Sequence, residues 1–536
     1  SSADLPPLGR QKCLRSTLDS HYIFLISCLV SLSACTNLDE QLFDQIAAED
    51  FYQNEAELQA GLATVYQHLT NFSFWFTPVM ENASDALTIY THSGGWNNDR
   101  HRRTDTHQLR ASDNRAFPLN QGWNNIFDGI AKANSAISSI ETNAEEGELK
   151  DEFLAEARSL RAWFFFLGMD LYGDMPLVTT PFVDPNNLPS RAPRPEVFAF
   201  CEAELLWAIE RLPSGMDPDR FPRLNQESVR AILAHLYANA EVFTRSNAAS
   251  PNSGTPRWED CITQCRAIRN AAGYELTANY FDVFKVNNDA LAMSEMLFYV
   301  DHEPGVSGGV VPLVRQCLTQ PWVNEYFPAL PFNVWNGPAV QMSFWDQYDV
   351  DDIRRNEGFL EGVQFTQDGD TLKDPNGLVV NHQREFYLRP DDGPADYLGV
   401  YEGIRPFKFE PDVNAVGANQ GNGFPTIRLA GIMLLEAECL IRLNGPNGES
   451  DDLINQVRAR VFDPAKPLTN ASLEDVYWER GFELFGEGHR RRDQIRFDTF
   501  HLADDFHDEH SRDFNIWPIP QDQIEANPNL SQNPGY

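Results

Sequence analysis

Basic residues are scarce in this chain. Its 42 Lys and Arg stand against 78 Asp and Glu, a formal charge of −36. Binding to a phosphate backbone needs a basic surface, so nucleic acid is excluded as a general ligand, and polyanions are disfavoured outside a local basic pocket. The charge bears on solubility and long-range fields, not on fold. Cysteine is also sparse. Beyond Cys13, Cys28 and Cys35 the chain has only Cys201, Cys261, Cys265, Cys317 and Cys439, an odd set that argues against a disulfide framework. Cys261 and Cys265, four apart on an expected helix, read as small buried hydrophobes. No spacing matches a structural zinc site. After Cys35 no apolar run approaches the ~20 residues that cross a bilayer. A Gly-rich phosphate loop, a nucleophile elbow and a His-Glu-x-x-His pattern are all missing. No cofactor is expected.

The first residues do carry a signal. Arg10, Lys12 and Arg15 precede an apolar run, Tyr22–Leu32, which ends in Leu32-Ser33-Ala34-Cys35. A basic segment, an apolar core of about 11 residues and small residues before a cysteine make a secretory leader. The Cys35 context looks like a bacterial lipobox, so Cys35 is expected to become the acylated first residue of a tethered domain. The basic segment is long, which suggests a true start other than Ser1. Residues 1–34 are then leader, and about 500 residues remain for one large domain or several ordinary ones. Hydrophobic content of 42% and aromatic content of 12% permit a large core and rule out disorder.

Apolar residues recur at helical spacing. Leu58, Leu62, Val65 and Leu69 form one stripe over 55–69. Phe153, Leu154, Ala157, Leu160, Phe164, Leu167 and Leu171 form another over 151–172, stopped by Gly173 and Pro176. Trp163-Phe164-Phe165-Phe166 is apolar on every side, which places that helix inside the fold. Further helices are expected at 196–211, 226–245, 257–271, 426–443, 450–461 and 473–488, many paired across short polar turns. The fold class is therefore mainly α: a scaffold of tetratricopeptide-like helical hairpins, degenerate because no regular repeat signature is found. Over 301–425 glycine and proline recur and helical periodicity fades, with strand-like runs at Met296–Val300 and Phe407–Phe409 bordering it. Long irregular insertions on a compact scaffold are more often functional than idle. The organisation is read as 35–300 and 426–536 scaffold, with 301–425 a ligand-facing insertion.

The landmarks fall in a telling order. Asp50-Phe51-Tyr52 is followed by Trp123-Asn124-Asn125-Ile126-Phe127, then Ala155-Glu156-Ala157-Arg158-Ser159-Leu160-Arg161 and Leu171-Tyr172-Gly173-Asp174-Met175-Pro176. Later come Asn279-Tyr280, Ser294-Glu295, Glu436-Ala437-Glu438, Glu479-Arg480, Glu487-Gly488-His489-Arg490, Trp517-Pro518-Ile519-Pro520 and Asn527-Pro528-Asn529-Leu530. This series resembles the SusD/RagB family of outer-membrane nutrient-binding lipoproteins across the whole mature chain. Two positions depart from it, Arg491 and Gln494, where an aromatic and a leucine are expected. The resemblance implies a surface lipoprotein that binds oligosaccharide or another nutrient, covers a SusC-like TonB-dependent transporter and passes ligand into it. It also implies ligand contacts in the connection after the first helix.

Sugars present apolar C–H faces and many hydroxyls, so a site for them needs exposed rings beside amide, carboxylate and Arg groups. Two regions qualify. After the first helix come Trp75, Tyr90 and Gly95-Trp96-Asn97-Asn98-Asp99-Arg100, with Trp96 the sharpest candidate because Gly94-Gly95 frees the loop. In the insertion lie Trp322, Tyr326, Phe327, Trp335, Asn336, Phe344, Trp345 and Tyr348. Trp322 and Trp335 sit beside turns made by Pro321 and Gly337-Pro338, and Tyr326 joins them as a contact. Trp345, with Phe344 and Tyr348, reads as packing beneath the site. Glu483 and Glu487 read as structural partners of Arg480, Arg490 or Arg491. His501, His507 and His510 with Asp504, Asp505 and Asp508 read as a solvated loop rather than a metal site. Asp349, Asp351 and Asp352 lack the full calcium-loop pattern. The expectation is a binding protein and not an enzyme. The alternatives are a secreted all-helical glycoside hydrolase, which needs two opposed carboxylates, and a helical-repeat adaptor for proteins.

Overall fold

The computed structural model describes residues 51–90, 99–113, 119–246, 250, 253–306, 309–386 and 399–536, with no side chains described at 71–76, 78, 79 and 99–101. The leader and Cys35 lie outside the described residues. Residues Tyr52–Tyr536 form one compact unit. Its helices run α1 (Glu55–Asn82), α2 (Asp99–Asp105), α3 (Leu119–Asn143), α4 (Glu148–Tyr172), α5 (Arg194–Ile209), α6 (Gln226–Ala238) and α7 (Trp258–Arg269). After the irregular stretch come α8 (Gln320–Tyr326), α9 (Leu429–Asn444), α10 (Gly448–Arg458), α11 (Leu473–Glu483) and α12 (Arg490–Arg496). Several shorter turns lie between them. Successive helices are packed neighbours from α3 through α7; α7 then meets α9, which packs on both α10 and α11. This is the expected hairpin stack.

Local chemistry sets the helix starts. Asn225, Asn447 and Ser472 each cap the N-terminus of α6, α10 and α11 in a reciprocal box with Ser228, Ser450 and Asp475, so two orphan donors are satisfied at each end. α4 closes on Gly173 in the left-handed region (φ 71). Two expectations need correction. α1 continues through Pro78 to Asn82, well past Leu69, so Trp75 lies within the helix and not in the connection after it. The residues expected to open the 426–443 helix belong instead to a strand. That strand, β2 (Phe424–Arg428), pairs antiparallel with β1 (Met296–Val300), Phe424 opposite Val300 and Arg428 opposite Met296. Phe407–Phe409 is not a strand; the short pairing there is Arg405–Pro406 with Phe359–Leu360.

The core forms around α4. Its four consecutive rings address four different neighbours: Trp163 meets Phe298 of β1 edge-on at 5.2 Å, Phe164 meets His68 of α1 at 5.6 Å, Phe165 meets Phe200 of α5 at 5.3 Å, and Phe166 meets Phe243 at 5.7 Å. Burying each such ring contributes roughly 1.5–3 kcal/mol. Gly129 on α3 makes room for one of them, since a Cβ there would stand 2.6 Å from the Phe164 ring. Cys201, Cys261, Cys265, Cys317 and Cys439 are free thiols and all buried, as their sparse count implied.

The second core is ionic. Arg428, fully buried, bonds Glu295 (2.8 Å), Glu483 (2.6 Å) and Glu487 (2.7 Å). Arg354 reaches Asp352, Glu479 and Glu483, Arg460 reaches Glu295 and Glu483, and Lys408 reaches Glu487 at 2.7 Å. A neighbouring group joins Arg480 and Arg496 to Asp493 and Glu438. Glu483 and Glu487 are thus structural, as expected, but their partners come from other elements. Arg480 pairs with Asp493, and Arg490 with Asp85 at 2.7 Å. The departures from the family pattern are accommodated: Arg491 is buried and donates to the Asn515 carbonyl at 2.5 Å, and Gln494 accepts from the Asp85 amide at 3.3 Å.

Candidate functional site

The exposed aromatic side chains of the 313–338 stretch are set by backbone bonds. A π-helical turn, Leu313–Cys317, precedes α8, which opens with Pro321 in its first turn. Three consecutive amides then return to that turn: Trp335 donates to the Arg315 carbonyl (2.8 Å), Asn336 to Leu318 (3.0 Å) and Gly337 to Gln316 (2.6 Å). Asn336 takes the left-handed conformation (φ 52), which Asn tolerates better than most residues, and its side-chain amide donates to the Val400 carbonyl. The Val334 amide donates to Gln320 of α8 at 2.9 Å, tying the segment to that helix.

This arrangement leaves Trp335 41% exposed and Tyr326 39% exposed. The Arg315 guanidinium lies 5.1 Å from the centre of the Trp335 ring and 5.0 Å from that of Phe332, a cation–π pairing that orients the indole. Burial lowers the Arg315 proton affinity. Tyr326 is steadied from both sides: its hydroxyl donates to the Phe365 carbonyl (2.9 Å), and its ring lies 4.9 Å from that of Trp322. Trp322 itself is only 6% exposed and packs edge-on against Phe407 at 4.8 Å. The expectation that Trp322 offers its ring to a ligand is therefore corrected. Its place one helical turn before Tyr326 makes it the support beneath an exposed ring.

Arg405 anchors the loop from below, and sequence reasoning missed it. One end of its guanidinium donates to the carbonyls of Gly337 (2.5 Å) and Pro338 (3.0 Å), the other to the Glu402 carbonyl (2.9 Å) and the Tyr90 hydroxyl. Its partners are mostly backbone carbonyls, which leave no trace in side-chain identity. Tyr90, expected near the ligand, is fully buried and donates to Glu402 (2.7 Å); burial raises its phenol to about 12 against the pull of Arg405. Burial, reinforced by Arg405, pushes His382 down to about 3, so it stays neutral and bonds the Tyr401 carbonyl at 2.7 Å. Phe344, Trp345 and Tyr348 are buried and pack on Phe359, Phe482 and Phe485.

Trp96, Asn97 and Asn98 lie outside the described residues, and Arg100 and Trp75 sit on helices with side chains not described. The aspartates at 349–352 have protein partners: Lys466 lies 2.7 Å from Asp349 and 2.7 Å from Asp351, and Asp352 caps the turn Ile353–Glu357. Glu81, Asp105, Glu483 and Asp493, whose acidity is altered, are sealed from solvent. They cannot reach a polymeric substrate. The loop carrying His507 and His510, expected to be solvated, is packed against the chain after α2.

A helical-hairpin stack that holds exposed aromatic side chains on a backbone-braced loop defines a scaffold for binding, with its chemistry at the loops. Comparison with known proteins gives that class a family. Residues 341–515 match the SusD family, and residues 42–238 match a family described as starch-binding associating with outer membrane. A SusD-like protein P25 from Formosa agariphila is 23% identical over 562 residues, covering 96% of this chain and 98% of the relative. The starch-binding protein SusD of Bacteroides thetaiotaomicron is 26% identical over 432 residues, 71% of this chain and 72% of the relative. Among solved structures, a laminarin binding SusD-like protein superposes with a TM-score of 0.68 at 22% identity, covering 90% of this chain and 100% of the other. The chain belongs to the SusD/RagB family.

Proposed function

We propose that this chain is a non-catalytic glycan-binding protein of the outer membrane. Ring stacking on Trp335 and Tyr326, with hydroxyls bonded by Arg315, would hold an oligosaccharide. The observation that carries this reading is the exposed Trp335 indole, braced by three backbone hydrogen bonds and one guanidinium in a family whose relatives are named for starch and laminarin. Relatives named for what they bind also support binding over hydrolysis. Trp75, Trp96, Asn97, Asn98 and Arg100 complete the proposed site from the other region. Acylated Cys35 would tether the protein, and a SusC-like TonB-dependent transporter would receive the ligand. No helix among the described residues is long and apolar enough to cross a membrane, which is compatible with tethering.

Native gels cast with laminarin, starch and other neutral polysaccharides test the reading. Retardation in at least one gel, lost in Trp335→Ala, is expected. Migration unaffected by every polysaccharide would overturn glycan binding, and steady release of reducing sugar would make the protein a hydrolase.

A further inference from the structure

Three histidines converge away from the aromatic loop. His107 follows α2 in the left-handed conformation (φ 53) with its ring buried. It stacks on Phe500 at 4.1 Å and meets the rings of His507 at 4.2 Å and His510 at 4.7 Å. One nitrogen from each of the three lies within 4.8 Å of the others. Two of these residues are neighbours in sequence; the third arrives from about 400 positions away, so sequence spacing could not reveal the set. His501, which spacing would have included, turns aside toward Asp498 at 3.8 Å.

The outer nitrogens decide what the inner ones offer. A carbonyl oxygen only accepts, so the nitrogen facing it carries the proton. His107 Nε2 faces the Ala83 carbonyl at 2.9 Å, His507 Nδ1 that of Asp508 at 3.2 Å, and His510 Nδ1 that of Ser511 at 3.0 Å. In the neutral rings this leaves lone pairs on His107 Nδ1 and His510 Nε2, which are 2.6 Å apart. His507 Nε2 instead faces the Asp504 carboxylate, so it carries a proton that a bound cation would displace. Two lone pairs at that separation repel unless a proton or a cation lies between them. A carboxylate stands ready as a further donor: Asp504 Oδ2 is 3.1 Å from His507 Nε2.

We propose that His107, His507 and His510, with Asp504 as fourth donor, bind a transition-metal dication, zinc by preference. Imidazole and carboxylate suit a borderline cation, and the three carbonyls are the outer partners that fix ligand tautomers. Zinc–nitrogen bonds of ~2.0–2.1 Å put tetrahedral ligands roughly 3.3 Å apart, so small ring rotations close the site. A cavity of about 770 Å³, lined among others by Arg102, Phe506 and Tyr536, gives an ion access. The bound ion would clip the loop at 504–510 to the segment behind α2.

The test uses the full mature chain, stripped with chelator and titrated with zinc chloride by calorimetry and with cobalt chloride by absorption. A single equivalent of zinc, tetrahedral cobalt bands displaced by zinc, and a zinc-dependent rise in Tm are expected. Asp504→Asn should weaken zinc binding about 10–100-fold. His510→Ala should abolish binding while its metal-free Tm matches that of the metal-free parent, and His501→Ala should bind as the parent does. If His510→Ala does not fold, His507→Gln is read in its place. Absence of saturable binding of either ion, or unchanged affinity in both His510→Ala and His507→Gln, would overturn the site.

Discussion

Arg428 and Glu483 meet twice. The Arg428 guanidinium donates to the Glu483 carboxylate at 2.6 Å and to the Glu483 backbone carbonyl at 2.6 Å. The last residue of β2 is thereby fixed to the last residue of α11. Burial alone would favour a neutral Glu483, but Arg460, Arg428 and Arg354 outweigh it and hold the carboxyl far below its usual range.

Neutralising that carboxylate should therefore be severe. Glu483→Gln leaves three buried guanidiniums short of a counter-charge, at an expected cost of about 3–5 kcal/mol. Urea unfolding followed by circular dichroism gives the number. A loss below ~1 kcal/mol would show that the network adds little beyond a surface pair.

Acid should unfold the protein through the same groups. Burial raises Glu295, Glu438, Glu483, Glu487 and Asp493, yet neighbouring guanidiniums, joined by Lys408 at Glu487, more than offset it and leave all five lowered. A carboxyl depressed in the folded state contributes stability above its unfolded value, about 4, and that contribution fades as pH falls below it. Stability should thus drop steeply below about pH 4. Thermal melts from pH 7 to 3 measure this, and a flat profile would contradict it.

Glu81 has the opposite sign. Burial lifts it to about 7, against the amides of Gly488 and Gly486, and its Oε2 has no hydrogen-bond partner in the structure. A carboxyl raised on folding loses stability as pH climbs from its unfolded value, ~4.3, through 7. Glu81→Gln mimics the protonated form, so it should flatten that slope and add up to roughly 3 kcal/mol at pH 8. Melts of both proteins at pH 5 and pH 8 separate the cases: equal effects at the two pH values would refute the assignment.

The two insertion tryptophans should behave differently. Trp335→Ala is expected to weaken glycan binding at least tenfold, about 1.4 kcal/mol, with stability within ~0.5 kcal/mol of the parent. Trp322→Ala should cost about 3–5 kcal/mol of stability, as truncation of a buried aromatic does. Titration with laminarin beside chemical denaturation reads both, and reversed behaviour would remove Trp335 from the site.

The proposed anchoring rests on one side chain. Cys35→Ala should shift the protein from the membrane fraction to the soluble one on cell fractionation. Retention of the variant with membranes would require another tether.

Much of this architecture was readable from spacing alone. The stripes of α4, α6, α7 and α10 are regular, and the Gly173–Pro176 stop is where periodicity placed it. α3 carries an equally clear stripe through Trp123, Ile126, Ile130, Ala133 and Ile137; Trp123 and Ile126 stand out as landmarks, but the asparagines among them mask the helix. The end of α1 was hidden by Pro78, ordinarily a stop signal. Ion pairs were legible as pairs but not as partners: a sequence view favours neighbours four apart, whereas buried carboxylates bind guanidiniums from whichever element packs opposite. The site was harder still. Exposure of Trp335 and burial of Trp322 differ by how each meets its own turn, and Arg405 acts through carbonyls that every residue possesses.

The rings of Trp163 to Phe166 carry a consequence for how this chain can vary. A single residue inserted ahead of them would swing all four by about 100° around the helix axis, and each would face a neighbour shaped for another. Length changes are consequently barred from the middle of α4 and must gather in the connections, where new ligand preferences can arise without disturbing the frame that holds them.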